Sequence, residues 1–300
     1  MTIFVLEGPD GAGKSYLAQQ IQQELPDTLI LRQGPPTPGE DLLEKYLRPI
    51  ENIFVNGTRQ TSHVVMDRWH VGELVYGPLL RGKSMLTRAQ MNYIDMVLGT
   101  FDARFYFMSA SLDTLLKRYD KRGDELISRD QIEHIKDEYT DLLVPLYHWE
   151  VVSFMRLPFV MPPVRHVQAP NAGRYIGPPG PKVLLLGDVR GNEKFTFPFV
   201  PYQATSGHWL MTAMADAHVD HMLVGVMNAC EMTPDELSTQ WDALGQPPVI
   251  TLGRNAQRAW KTVGDWNPNK DHYLHHPQYA RRFNHRSTFE YGQTIKDVMK

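Results

Sequence analysis

Short apolar runs separated by helix-length segments make up the first half of the chain. The predicted strands of this half are Thr2–Leu6, Thr28–Leu31, His63–Met66 and Arg104–Met108. Between the first two strands, the segment Ser15–Leu25 places its apolar residues at helical spacing. Continuous apolar strands that alternate with helices are typical of a parallel sheet covered on both faces. The first half is therefore predicted to be a parallel α/β domain.

The same alternation returns in the second half. Val183–Leu186, Met222–Val226 and Val249–Leu252 are predicted strands, and Gly207–Ala217 and Arg254–Thr262 are predicted helices. The fold class is thus α/β throughout, with a parallel sheet that has helices on both faces, followed by a second, smaller α/β domain.

A proline-rich stretch separates the two halves. Met161–Pro181 contains six prolines and three glycines, and it follows the strand-like run Val151–Phe159. Proline lacks an N–H donor and fixes φ, so this stretch cannot continue a helix or a central strand. A length of 300 residues suits two domains. We predict domains at residues 1–160 and 182–300, joined by an interdomain linker at 161–181.

The composition excludes several classes of protein. Hydrophobic residues make up 42% and charged residues 22% of the chain, as in soluble globular proteins. No apolar run approaches the roughly 20 residues that span a bilayer, and no basic-then-apolar leader precedes the first strand. The single cysteine, Cys230, excludes an internal disulfide framework and an all-cysteine metal site. We expect a cytoplasmic protein that does not contact membranes.

Charge is distributed unevenly along the chain. Residues 1–150 carry 16 Lys and Arg against 22 Asp and Glu, whereas residues 151–300 carry 15 against 12. The last fifty residues hold nine bases and four acids, among them Arg281, Arg282 and Arg286 near His276 and His285. The basic second half favours an anionic partner such as DNA. A solvated basic face is the alternative.

A glycine-rich loop follows the first strand and opens the first helix. Gly8–Ser15 fits the pattern G-x-x-x-x-G-K-[ST], in which backbone N–H groups hold phosphate oxygens at a helix N-terminus. Lys14 would neutralise phosphate charge, and the Ser15 hydroxyl would hold Mg²⁺. The loop therefore predicts ATP and Mg²⁺ as cofactors. The predicted ATP-binding residues are Gly8, Gly11, Ala12, Gly13, Lys14, Ser15 and Tyr16.

Charged residues also follow the strand His63–Met66. Asp67 would lie near the metal, so Ser15 and Asp67 are the predicted metal ligands. Arg68 can grip a second phosphate in bidentate fashion. The alternative is a surface ion pair between Asp67 and Arg68.

A basic, glycine-containing segment lies further along the first half. Arg118, Lys121, Arg122 and Arg129 fall within twelve residues, interrupted by Gly123 and Asp124. Such a segment suits a closing lid whose arginines stabilise the transferring phosphoryl group and whose closure excludes water. A solvated helix face is the alternative.

Three separated motifs, in order, resemble thymidylate kinases. They are Phe4–Ser15, Asp67-Arg68-Trp69 and Leu115–Tyr139. The resemblance implies that Asp10 lies near the acceptor sugar and Mg²⁺, and that Arg68 binds the acceptor phosphate. It also implies a homodimer. Gly11 stands where some members carry a loop arginine, so the catalytic arginine is implied at Arg118 or Arg122. The implied catalytic set is Lys14, Asp10, Asp67, Arg68, Arg118 and Arg122.

Two departures from that family concern the acceptor. The loop Arg32-Gln33-Gly34-Pro35-Pro36 replaces the Arg-x-Pro-Gly-Gly of the family and leaves the identity of the acceptor open. The segment Trp69–Pro78 is also more aromatic than in typical cellular members. Trp69 and Tyr76 would stack on an acceptor base or belong to the core. The predicted acceptor-binding residues are Asp10, Arg32, Arg68, Trp69 and Tyr76.

Short motifs of the second half resemble the uracil-DNA glycosylase superfamily. They are Gly187-Asp188-Val189-Arg190-Gly191, Pro198-Phe199, Thr205-Ser206-Gly207, Asn228, Leu252-Gly253-Arg254-Asn255-Ala256 and His276-Pro277. The resemblance implies that Phe199 stacks on an extruded base, that Asn228 recognises its edge and that His276 stabilises the departing base. Asp188 would position water or stabilise the sugar cation. Arg190 departs from the usual small residue. An active glycosylase, a DNA- or nucleotide-binding remnant, and a chance resemblance with His276 as an ordinary core or loop histidine are all open.

Three functions follow from these motifs. The favoured one is an ATP-dependent kinase for a thymidylate-like deoxynucleoside monophosphate. The second is a kinase for a hydroxymethylated pyrimidine in DNA, with Asp10, Asp67 or Glu73 as general base and the second half holding the DNA. The third is a uracil-type DNA glycosylase with an accessory P-loop domain. The combination of domains favours viral or DNA-modification metabolism.

Overall fold

The computed structural model describes residues 2–57, 62–123, 126–153, 174–188, 194–263, 271–283 and 287–300. The chain forms two compact units. Unit 1 comprises Met1–Tyr46, Arg59–Thr87 and Phe101–Val167, and unit 2 comprises Leu47–Thr58, Arg88–Thr100 and Gln168–Lys300. Two segments from the first half of the sequence therefore belong to unit 2. The predicted linker at 161–181 stays a prediction over residues 161–173, which lie outside the described residues.

Unit 1 is built on a five-stranded parallel sheet. Its strands are β1 (Thr2–Glu7), β2 (Thr28–Arg32), β3 (His63–Asp67), β4 (Arg104–Ser109) and β5 (Trp149–Ser153), in the order β2-β3-β1-β4-β5. Strand β1 lies between β3 and β4 and is buried along its whole length, which explains its unbroken apolar run. The predicted α/β class is confirmed. Because all strands are parallel, the residues that follow them meet at one edge.

Helices connect these strands, and their bounds are α1 (Lys14–Glu24), α2 (Leu42–Ile50), α3 (Val71–Arg81), α4 (Arg88–Thr100), α5 (Leu112–Arg122) and α6 (Gln131–Leu143). A π-helical turn, Glu51–Val55, continues α2. The predicted first helix starts one residue earlier than expected, at Lys14. Ser111 caps the N-terminus of α5, because its hydroxyl accepts a hydrogen bond from the backbone N–H of Thr114.

Unit 2 contains a second five-stranded sheet. Its strands are β6 (Tyr175–Ile176), β7 (Val183–Gly187), β8 (Val224–Asn228), β9 (Val249–Leu252) and β10 (His272–Leu274), in the order β10-β9-β7-β8-β6. All are parallel except β6, which runs antiparallel to β8. The helices are α7 (Ser206–Asp216), α8 (Pro234–Ala243), α9 (Arg254–Thr262), α10 (Pro277–Phe283) and α11 (Thr288–Val298).

Two local predictions need correction. Strand β6 lies inside the stretch expected to be linker, because proline excludes a central strand but tolerates an edge strand with one paired side. The strand predicted at Met222 begins instead at Val224. His221–Leu223 form a 3₁₀ turn, because the Asp220 carboxylate accepts a hydrogen bond from the Met222 N–H and caps that turn. No helix in the described part of the chain is long and apolar enough to cross a membrane.

Candidate functional site

The glycine-rich loop joins the carboxyl end of β1 to the first turn of α1. Gly8, Gly11 and Gly13 adopt φ values of 138°, 81° and 103°, in the region that favours glycine. A Cβ on Gly8 would lie 2.2 Å from the carbonyl oxygen of Met108, so this position admits no side chain. Among the described residues, no side chain caps the N-terminus of α1. Its N–H groups can therefore bind an anion.

Lys14 is buried inside the loop. Its Nζ donates hydrogen bonds to the carbonyl oxygens of Gly8 at 2.6 Å and Pro9 at 2.8 Å. Burial lowers the pKa of Lys14 to about 8, although the charges of Glu7 and Asp67 oppose that shift. The ammonium group is thus held at the centre of the loop. Of the other predicted ATP-binding residues, Ala12 is buried and Tyr16 is half exposed.

Ser15 and Asp67 meet at the metal position that the sequence predicts. The Ser15 hydroxyl donates to Asp67 Oδ2 at 2.8 Å, and Arg32 Nε donates to the same oxygen at 3.1 Å. Asp67 is buried, and its Oδ1 has no hydrogen-bond partner among the described residues. Asp67 is therefore not half of a surface pair with Arg68, which was the alternative. A hydroxyl beside an unpartnered carboxylate oxygen is a donor set that suits Mg²⁺.

Asp10, Arg68 and Tyr76 form a second cluster beside the loop. Arg68 Nη2 makes an ion pair with Asp10 Oδ1, and the Tyr76 hydroxyl donates to Asp10 Oδ2 at 3.2 Å. Arg68 has a φ of 63°, which is uncommon for a residue with a side chain. Its N–H donates to the carbonyl oxygen of Leu6 at 3.1 Å and so fixes this backbone. Strained backbone of this kind concentrates at functional sites.

A cavity opens next to this cluster. Of the predicted acceptor residues, Asp10, Arg68, Trp69 and Tyr76 line it, whereas Arg32 is not among its lining residues and pairs with Asp67. Trp69 is only 2% exposed and packs edge-on against Tyr46, with ring centroids 5.6 Å apart. Trp69 therefore serves as core and as cavity wall. The remaining walls come from the loop at residues 33–36, from Tyr46 on α2, from α3 and α6, and from residues 126–127.

Two arginines of α5 approach the phosphate loop. Arg118 Nη1 donates to the carbonyl oxygen of Gly11. Arg122 lines a smaller cavity together with Pro9 and Asp10. Arg129, the last base of the predicted lid, instead pairs with Asp120 at 3.0 Å, where both side chains are about half exposed. Asp124 lies outside the described residues.

Glu7 was missed as a site residue. It is fully buried at the end of β1, and its Oε1 accepts hydrogen bonds from the N–H groups of Trp69, Val71 and Gly72 at 2.8–3.4 Å. Burial raises the pKa of Glu7, and the charge of His70 opposes that shift. Glu7 therefore satisfies the free N–H groups at the start of α3. The signal in the sequence was an acid at the end of an otherwise apolar strand.

Tyr46 and Arg81 were also missed as cavity residues. Neither belongs to one of the motifs in the sequence. Tyr46 lies on α2, and Arg81 lies at the end of α3. Only the packing of these helices brings the two side chains to the cavity.

In unit 2, the structure brings together the four residues predicted for a base-binding site. Asp188 follows β7, Asn228 ends β8 and His276 follows β10. The ring of Phe199 packs over Gly187, where a Cβ would lie 2.1 Å from the ring. The centroids of Phe199 and His276 are 6.1 Å apart. Val189, Arg190 and Gly191 lie outside the described residues.

Polar groups of this cluster are held in defined positions. Asp188 Oδ1 accepts a hydrogen bond from the Ala256 N–H at 2.7 Å, and Asn255 donates to Oδ2 at 3.3 Å. Burial lowers the pKa of His276, and the Asp188 carboxylate opposes the shift. Asn228 is buried, and its Oδ1 has no hydrogen-bond partner in the described part of the chain.

The known proteins that match this chain are similar to its first half. No protein-family model matches the sequence. The SPbeta prophage-derived uncharacterized protein YorR of Bacillus subtilis (strain 168) is 27% identical over 157 residues, which cover 50% of this chain and 89% of YorR.

Solved structures are similar to the same half. YorR in complex with phosphorylated GDP is 24% identical, with a TM-score of 0.41, over 52% of this chain and 88% of YorR. Deoxyadenosine kinase from M. mycoides with bound dATP is 18% identical, with a TM-score of 0.31, over 51% and 90% of the two chains. At these TM-scores the similarities support no conclusion about substrate or mechanism. The resemblance of the second half to uracil-DNA glycosylases stays a prediction.

Proposed function

We propose that unit 1 transfers a phosphoryl group from ATP to a deoxynucleoside monophosphate, with a thymidylate-like acceptor. The observation that carries the proposal is the position of Asp10. This residue belongs to the phosphate loop and also lines the cavity, where it pairs with Arg68. A triphosphate held by the loop and a monophosphate held by Arg68 would therefore meet at Asp10.

Ser15 and Asp67 are the residues that would hold Mg²⁺. The unpartnered, buried Oδ1 of Asp67 and the hydroxyl of Ser15 supply the hard oxygen ligands that this ion prefers. Held by Ser15 and Asp67, Mg²⁺ would supply positive charge beside the phosphate groups of ATP.

The cationic side chains have separate tasks in this mechanism. Lys14 exchanges its hydrogen bonds to Gly8 and Pro9 for phosphate oxygens of ATP. Arg118 and Arg122, on α5, stabilise charge on the phosphoryl group in transit. Arg68 keeps its ion pair with Asp10 and offers its remaining N–H donors to the acceptor phosphate, while the Tyr76 hydroxyl keeps Asp10 oriented.

The carboxylates favour a phosphate acceptor over a hydroxyl acceptor. Phosphoryl transfer to a hydroxyl benefits from a general base, whereas a phosphate acceptor is already an anionic nucleophile. Each of the three carboxylates that the sequence offers as a base is paired with an arginine. The pairs are Asp10 with Arg68, Asp67 with Arg32, and Glu73 with Arg81.

The test is a transfer assay with ATP labelled at the γ-phosphate. Acceptors are the free monophosphates dTMP, dUMP, dGMP, dCMP and dAMP, and hydroxymethylated DNA. The proposal expects label on a free monophosphate and none on the polymer, and it expects the Lys14→Ala variant to lose transfer. Label on the polymer alone, or full transfer by Lys14→Ala, would contradict it.

For unit 2 we propose a nucleobase-binding site of the uracil-DNA glycosylase type. The bound base belongs to a free nucleotide or to DNA. The unpartnered Oδ1 of Asn228, buried beside the Phe199 ring, favours this function. An amide next to an aromatic platform provides edge recognition and stacking for a base.

Uracil-containing DNA is incubated without ATP and assayed for abasic sites, with Asp188→Ala as the control. Loss of uracil only with the unsubstituted protein indicates a glycosylase, and DNA binding without cleavage indicates a binding domain. If the protein neither removes uracil from any uracil-containing substrate nor binds such a substrate, the proposal is overturned.

A further inference from the structure

A partly buried ion pair on α3 has no part in the mechanism above. Arg81 Nη2 donates to Glu73 Oε2 at 2.5 Å, and the Met85 N–H donates to Glu73 Oε1 at 2.7 Å. The Glu73 side chain is 2% exposed and the Arg81 side chain 31% exposed. Both line the acceptor cavity. Removing these charges from water costs free energy of desolvation. A role in ligand binding would explain why the pair is kept at this position.

Gly77 makes room for this pair. A Cβ on Gly77 would lie 2.6 Å from Glu73 Oε1 and 3.1 Å from Arg81 Nη2. The absence of a side chain at this position therefore lets the carboxylate and the guanidinium lie against the helix. Their orientation is fixed by the hydrogen bond between them and by the Met85 N–H, in the space that Gly77 leaves.

The pair presents complementary groups side by side. A guanidinium has five N–H donors and no acceptor, and a carboxylate has two oxygens that accept about four hydrogen bonds. Among the described contacts, Arg81 uses one donor on Glu73, and Glu73 accepts from Arg81 and from Met85. Donors and acceptor sites therefore remain for a ligand in the cavity.

The pair lies toward the end of the cavity that suits a base. Tyr76, which contacts Asp10, is five residues before Arg81 on α3. At the rise of an α-helix, Arg81 is about 7.5 Å further along the axis than Tyr76. With the acceptor phosphate at Arg68, the base of the same nucleotide would extend toward Arg81, along the cavity wall to which Tyr46 and Trp69 contribute.

We infer that Glu73 and Arg81 recognise the base of the acceptor and select bases that carry a carbonyl next to a ring N–H. This inference rests on the proposed function. Thymine and uracil offer O4 beside N3–H, and guanine offers O6 beside N1–H. The carbonyl accepts from Arg81, and the ring N–H donates to Glu73. Cytosine and adenine carry an amino group beside an unprotonated ring nitrogen. The amino group would then face the donors of Arg81, and the ring nitrogen would face the acceptor oxygens of Glu73.

The test compares the monophosphates dTMP, dUMP, dGMP, dCMP and dAMP on the full chain. Calorimetry without ATP measures binding, and the transfer assay measures kcat/KM. The expected preference for the first three over the last two is about 10- to 100-fold, the span of one well-formed bidentate base contact. Arg81→Gln offers both a donor and an acceptor at this position, so the preference should fall below about threefold. Lys117→Gln, which removes an exposed charge on α5, is the matched control and should keep the preference.

A second variant, Arg81→Lys, separates loss of the fold from loss of base recognition. Arg81→Gln leaves the buried Glu73 without its cation, so its melting temperature is measured alongside. Arg81→Lys keeps the charge but not the planar fork, and its preference should be intermediate. Equal binding of all five nucleotides, unchanged preference in both Arg81 variants, or no binding of any nucleotide overturns the inference. Preferential binding without transfer instead contradicts only the kinase proposal.

Discussion

The Tyr139 hydroxyl donates a hydrogen bond to Glu7 Oε2 at 3.3 Å, and both side chains are fully buried. The strand that leads into the phosphate loop is thereby joined to α6, the helix that follows the predicted lid. The second oxygen of Glu7 receives the N–H groups at the start of α3. One carboxylate thus connects three elements of unit 1.

This arrangement predicts graded effects on stability. Tyr139→Phe removes one hydrogen bond and should lower the free energy of unfolding by about 1 kcal/mol. Glu7→Ala leaves several buried N–H groups unsatisfied and should cost about 3 kcal/mol or more. Glu7→Gln keeps an acceptor oxygen and removes the burial cost of the charge, so it should stay closer to the unsubstituted protein. Urea unfolding measures all three. An equal loss in Tyr139→Phe and Glu7→Ala would contradict the assigned role of Glu7.

The lowered pKa of Lys14 predicts a pH-dependent affinity for ATP. Burial lowers this pKa to about 8, so the ammonium form is lost as pH rises through that value. The neutral amine cannot neutralise phosphate charge, and ATP affinity should therefore fall between about pH 7.5 and 9. Bound phosphate favours the charged amine, so binding near pH 8 should take up protons.

Calorimetry in buffers of different ionisation enthalpy measures that proton uptake. Lys14→Ala is the control and should bind weakly with no proton uptake at pH 8. Uptake of the same size in Lys14→Ala would assign the effect to another group.

The left-handed backbone of Arg68 predicts a trade between stability and acceptor binding. Arg68→Gly relieves a strain of about 1 kcal/mol, whereas Arg68→Ala keeps it. Both variants lose the guanidinium that we assign to the acceptor phosphate, so KM for the acceptor should rise more than tenfold in both. Melting temperature and steady-state kinetics separate the two effects. A glycine variant that melts below the alanine variant would contradict the strain, and an unchanged KM would contradict the role in binding.

His276 gives a prediction for unit 2. Burial lowers its pKa, and the Asp188 carboxylate opposes that shift. Asp188→Asn removes the opposing charge while keeping an oxygen that can accept from the Ala256 N–H, so the pKa of His276 should fall further. Titration of the ring protons by NMR measures the change, with Glu231→Gln as a control for a carboxylate that does not act on His276. A rise in the pKa after Asp188→Asn would refute the proximity of the two groups.

Much of unit 1 could be predicted from its sequence because the signals are local. An unbroken apolar run places β1, the glycines with positive φ define the phosphate loop, and helical spacing places α1. Each signal depends on a few neighbouring residues. The parallel sheet then follows from the alternation of elements, because parallel strands require crossover connections.

Pairings between distant residues required the tertiary structure. The sequence places Asp67 beside Arg68, yet burial of the Asp67 side chain turns it to Ser15 and Arg32 while the left-handed backbone directs Arg68 to Asp10. No periodic pattern encodes such choices, because they depend on which side chains reach the same buried space.

The sequence by itself determined the phosphate loop, the α/β class and most strand positions, since backbone conformation and hydrophobic period are properties of short segments. Only the tertiary structure decided that Glu73 and Arg81 form a partly buried pair in the acceptor cavity. It also brought together Asp188, Phe199, Asn228 and His276, which the sequence linked only through a resemblance. It also decided that residues 88–100 belong to unit 2. The physical reason is that burial and side-chain reach act through space, between residues whose separation along the chain carries no signal.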